Sequence, residues 1–67
     1  MNTELLMQRI KEKKISKSLI ADEMNLTRQS LYNKLSGERE FVGSEIKKLA
    51  EILELSDNDK NDIFFTN

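Results

Sequence analysis

Apolar residues recur one helical turn apart along almost the whole chain: Leu6 with Ile10, Ile20 with Met24, Leu31 with Leu35, then Ile46, Leu49, Ala50 and Leu53. A spacing of three and four lines one face of an α-helix, and no stretch alternates with the period of a strand. Proline is absent and glycine occurs only at positions 37 and 43. The pattern predicts an all-α fold of five short helices. The first runs over about 3–13, with Thr3 as N-cap, Glu4 in the first turn, and Lys11, Lys13 and Lys14 at the end that favours cations. The second follows Ser16 and reaches about Met24. Asn25, tolerant of left-handed backbone, turns the chain. Thr27 caps a third helix over about 28–36, which Gly37 terminates. Residues 38–43 read as a loop, and Ser44 caps the fourth helix. Ser56, followed by Asp57 and Asp59, opens a short fifth that carries Ile63, Phe64 and Phe65.

At 67 residues, one domain spanning 1–67 buries only about 60 % of the surface its unfolded chain exposes. Small domains commonly add a disulfide, a metal or a second subunit. Cysteine and histidine are both absent, which removes the disulfide and the usual zinc ligands. Helix packing and oligomerisation remain. The longest apolar run is three residues, Leu5 to Met7, far below the ~20 of a membrane span. Residues 1–4 lack the basic start and apolar stretch of a signal peptide, so the expectation is a cytoplasmic protein. Without His, Cys or a glycine-rich phosphate loop, neither catalysis nor a cofactor is expected.

A net charge of −1 argues against a polyanionic partner only as an average. Residues 1–39 hold eight basic side chains against five acidic ones, and residues 40–67 hold three against seven. Within the basic half, residues 17–36 meet the demands of a helix-turn-helix. Ala21 is the small residue where two helices cross, Asn25 allows the sharp reversal, and Leu26 plugs the corner. Leu31 and Leu35 turn inward, leaving Arg28, Gln29, Ser30, Tyr32, Asn33 and Lys34 outward. That set contains no acid. Its members suit base edges in the major groove: Arg to guanine, Gln or Asn to adenine, Ser to either. Arg28, Gln29 and Ser30 occupy the first turn, where such a helix meets bases, and its free amides favour a phosphate.

At these residues the chain resembles a known family. The run KSLIADEMNLTRQSLYNKLSGERE is similar to the helix-turn-helix of the Cro/CI-type (XRE-like) transcriptional regulators of bacteria and their phages. With FVGSEIKKLAEILELS and the terminal IFF, the resemblance spans about residues 4–65. It implies a compact five-helix, lambda-repressor-like domain that binds a double-stranded DNA operator, usually as a homodimer, and represses or regulates transcription. Arg28, Gln29, Ser30 and Asn33 match the family's base-reading positions. Lys17, Thr27, Tyr32, Lys34, Ser36 and Arg39 match places that approach the phosphate backbone. The chain departs from the family at two positions, with Asn25 where glycine is usual and Lys17 where glutamine is usual.

Each of these residues also has a plainer reading. The outward face of the third helix can be a solvated surface, and the lysines at 11, 13 and 14 can simply complement a helix C-terminus. Ile63, Phe64 and Phe65 serve either the core or a dimer seam. A rival function follows from the acidic half and the apolar end: a modulator, antirepressor or antitoxin in kind, that grips a partner regulator protein.

Overall fold

The computed structural model describes residues 1–65. Among them lie five helices and no strand: α1 (Thr3–Lys13), α2 (Lys17–Glu23), α3 (Arg28–Leu35), α4 (Gly43–Leu53) and α5 (Asp57–Phe64). The six fully buried large side chains come from every helix: Leu6 from α1, Ile20 from α2, Leu31 from α3, Leu49 and Leu53 from α4, and Ile63 from α5. These are the positions the one-turn spacing singles out, with Ile63 added. α1 is the central element and packs against α3, α4 and α5, while α2 packs against α3. The result measures 27 × 23 × 20 Å. No described helix is long and apolar enough to cross a membrane.

Three of the expected N-caps stand. Ser16, Thr27 and Ser56 each accept a backbone N–H three residues on, from Leu19 at 3.1 Å, Ser30 at 3.0 Å and Asp59 at 3.0 Å. Two differ. Asn2, not Thr3, caps α1, its Oδ1 accepting the Leu5 N–H at 3.1 Å. Its own N–H donates to the Ile63 carbonyl at 2.7 Å, a tertiary bond that fixes where α1 starts. α4 begins at Gly43 after the extended Val42, one residue ahead of Ser44. There the Glu45 carboxylate reaches back to accept the Val42 N–H at 3.0 Å. This supplies the capping interaction from the third helical position instead of the first.

Three non-glycine residues hold left-handed backbone where helices end: Lys14 (φ 56), Asn25 (φ 55) and Glu54 (φ 53). Gly37 (φ 90) closes α3 as the sequence suggests. After α2 and α4 the chain folds back on itself, with Leu26 N–H to Ala21 O and Leu55 N–H to Ala50 O both at 2.9 Å. An ion pair between Lys13 and Glu54 ties the C-terminal ends of α1 and α4 together. Arg9 links α1 to α5 by reaching Asp59 at 3.3 Å while holding Glu12 at 2.9 Å.

The segment after α3 is a loop up to Val42, as expected for residues 38–43, but it carries a core residue. Phe41 is buried at 8 % exposure. Its ring meets that of Phe64 edge to face, with centroids 5.9 Å apart and planes at 87°. The C-terminal apolar trio is divided by the same packing. Ile63 is wholly inside the core, so the single chain presents none of it to a partner. Phe64 is half-buried, and only Phe65, at 64 %, stands out from the surface.

Candidate nucleic-acid interface

The region is built from two short helices and the turn between them. α2 is set by the Ser16 cap and by Ile20 and Ala21, both buried; α3 is set by the Thr27 cap and by Leu31 and Leu35. Between them Asn25 takes left-handed backbone, and the half-buried Leu26 packs on the core at the corner. With its apolar stripe inward, α3 turns Arg28, Gln29 and Tyr32 to solvent, with Ser30 and Asn33 half-buried beside them. No acidic residue occurs in α3.

Several expected contact residues come together. Lys17, at the start of α2, holds its ammonium 5.9 Å from the centre of the Tyr32 ring, a cation–π arrangement. Lys17, Arg28 and Tyr32 flank one shallow cleft between α2 and α3, and Lys17, Tyr32 and Ser36 flank a second beside α1. On α3 itself, Gln29 Nε2 donates to Asn33 Oδ1 at 3.0 Å, one turn apart. Thr27 Oγ1 is engaged as a cap, though its hydroxyl proton stays free to donate. Ser36 donates its hydroxyl to the Asn33 carbonyl at 3.0 Å, closing the end of α3.

Two expected members are set apart. Arg39 is exposed but borders a different cleft, shared with Met1, Phe41, Phe64 and Phe65. Its position is fixed by its own N–H, which donates to the Asn33 carbonyl at 3.1 Å. Lys34 is turned largely away from solvent. Its ammonium donates to Glu45 Oε1 at 2.8 Å and to the Glu40 carbonyl at 3.3 Å, and sits 5.9 Å from the Phe41 ring centre. With its side chain only 12 % exposed, Lys34 is a strut between α3 and α4. The structure thus sets Lys34 apart from the other residues expected at phosphates, its ammonium held by two acceptors against α4.

Glu45 is the residue that sequence reasoning missed. Partial burial works against its charge, but the hydrogen bonds from Lys34 and the Val42 N–H, together with the ammonium's charge, outweigh that and hold its pKa below the ordinary glutamate value. The signal was present, because a glutamate three residues after a helix start is one half of a capping box. Its partner was not readable from spacing.

No protein-family model matches the chain, and no curated protein and no solved structure matches it either.

Proposed function

We propose that this chain is a sequence-specific double-stranded DNA-binding transcriptional regulator, a repressor or Cro-like protein with a lambda-repressor-like helix-turn-helix. The observation that carries the reading is the acid-free outer face of α3, presented by a sharp turn from α2 in a chain where acids outnumber bases. α3 enters the major groove, with Arg28, Gln29 and Ser30 at base edges. Lys17, Thr27 and Tyr32 lie toward the phosphates, where the helix N-terminus also attracts negative charge. The protein acts as a homodimer on two half-sites about 34–36 Å apart. Phe65, the most exposed large apolar residue at 64 %, borders an open cleft between α4 and α5 with Ile46, Ala50 and Leu55, and this surface supplies the seam.

Selection from a pool of randomised duplexes, followed by titration of the winning sequence at two salt concentrations, tests the reading. Enrichment of one sequence with a steep salt slope supports it. An absence of binding even at about 50 mM salt refutes it, and favours the second reading, a modulator that docks on a partner regulator through the Phe65 surface. Given an operator, Arg28→Ala is expected to cost about 1–3 kcal/mol at fixed salt and to relax the preference for one base. Unchanged affinity would remove α3 from the groove. Phe65→Glu is expected to shift the sedimenting species from dimer to monomer while leaving the helical signal intact.

A further inference from the structure

The hydrogen bond between Gln29 and Asn33 has a consequence for which base is read. A free glutamine amide carries two N–H donors and one carbonyl acceptor. Used as acceptor plus donor, it matches adenine, which offers an N6 donor beside the N7 acceptor. Used as a pair of donors from its nitrogen, it satisfies guanine, which offers N7 and O6 as two acceptors. A lone glutamine therefore has a bonding mode for either purine, with the bidentate adenine match the better of the two.

Here one of the two donors is already committed. Gln29 Nε2 gives a hydrogen to Asn33 Oδ1 at 3.0 Å, and both residues sit on the outer face of α3 one turn apart, where side chains at i and i+4 meet. The amide is left with one N–H and its carbonyl oxygen. Against guanine, that oxygen would face O6, acceptor to acceptor. Against adenine, both bonds form. The same contact fixes the amide plane before DNA arrives, which lowers the ordering cost of a long, flexible side chain on binding.

We infer that Asn33 is a positioning residue rather than an independent base reader, and that its hold on the Gln29 amide makes Gln29 a reader of adenine that rejects guanine. The inference rests on the DNA-binding reading above. Arg28 and Ser30 make no side-chain bond to this pair among the described residues, so the effect is confined to one position of each half-site.

The test is the same selection from randomised duplexes, run with wild type, Gln29→Ala, Asn33→Ala and Asn33→Asp, with each variant's fold checked by its circular dichroism melt. Wild type is expected to prefer adenine over guanine by about tenfold or more at one position per half-site. Gln29→Ala loses that preference. Asn33→Ala is expected to narrow that preference at the same position by about twofold, the worth of a surface i, i+4 amide pair, while every other position keeps its base. Asn33→Asp retains the acceptor, and so retains the preference, though added negative charge near phosphates weakens binding overall. A role in folding alone would weaken all positions together and would not admit guanine at one of them. The inference is overturned if Asn33→Ala leaves the preference intact, if it alters a position that Gln29→Ala does not, or if the shared position selects a base other than adenine. Failure of wild type to enrich any sequence overturns the DNA-binding reading itself, a result distinct from the other three.

Discussion

Phe41→Ala is expected to cost about 3–5 kcal/mol, the usual range for removing a buried phenylalanine side chain. A chain of 67 residues has a total stability of roughly 3–10 kcal/mol by the per-residue rule, so the variant sits at the edge of unfolding at 25 °C. Three contributions add up at this position. The ring is buried at 8 % exposure, it meets Phe64 edge to face at 5.9 Å, and it lies under the Lys34 ammonium. The aromatic pair alone is worth about 0.5–1.5 kcal/mol beyond burial. Phe41→Leu keeps most of the volume and is expected to retain the fold, with a clearly smaller loss. Urea denaturation followed by circular dichroism measures both. Equal, small losses in the two variants would show that the segment after α3 contributes nothing to the core.

The second large effect concerns the strut between α3 and α4. Breaking a fully buried ion pair by removing one partner costs about 3–5 kcal/mol, because the other charge is stranded. The side chains of Lys34 and Glu45 keep 12 % and 18 % exposure, which brings the expected cost of Lys34→Ala to about 2–3 kcal/mol, the upper range for a hydrogen bond to a charged group. The same pair gives stability a pH dependence of definite sign. The folded-state pKa of Glu45 is lowered from 4.5. Its contribution is therefore fully present above its unfolded value and is lost as pH falls through the folded one. Glu45→Gln removes that part of the acid response, so stability plotted below pH ~5 is expected to fall less steeply than in wild type. Glu54 beside Lys13, and Asp59 beside Ser56 and Arg9, are also held low and contribute to the slope in the same direction. A variant as acid-sensitive as wild type would show that Lys34 and Glu45 are not paired in solution.

Most of the architecture is legible in the sequence because it is decided locally. Four runs of one-turn apolar spacing give the first four helices, Ser56 with Asp57 and Asp59 marks the fifth, and Ser16, Thr27 and Ser56 each declare a start within three residues of themselves. Asn25 and Gly37 declare two reversals by what their backbones tolerate. The misreadings share a cause, which is that a distant contact decides them. Thr3 looks like a cap until the Asn2 N–H bonds to Ile63 at the other end of the chain. Ser44 looks like a cap until Glu45, held by Lys34, reaches back to Val42. Lys34 looks outward by its place beside Asn33, yet its long stem lets the ammonium swing round to α4. In the candidate interface, residue identities were readable and their coupling was not. That Gln29 leans on Asn33, and that Lys17 lies over Tyr32, are facts of side-chain direction.

The left-handed residues that end α1, α2 and α4 also bear on how the protein can be altered. An L-residue in that conformation carries about 1–2 kcal/mol of steric cost, which glycine escapes at the expense of a more disordered unfolded chain. Lys14 is exposed and lies outside the α2–turn–α3 unit, so its strain is a reserve that can be released without touching the candidate interface. A domain arranged this way keeps its durability and the proposed recognition face on separate positions. Stability lost through substitutions on the outer face of α3 can be made good at the far end of α1.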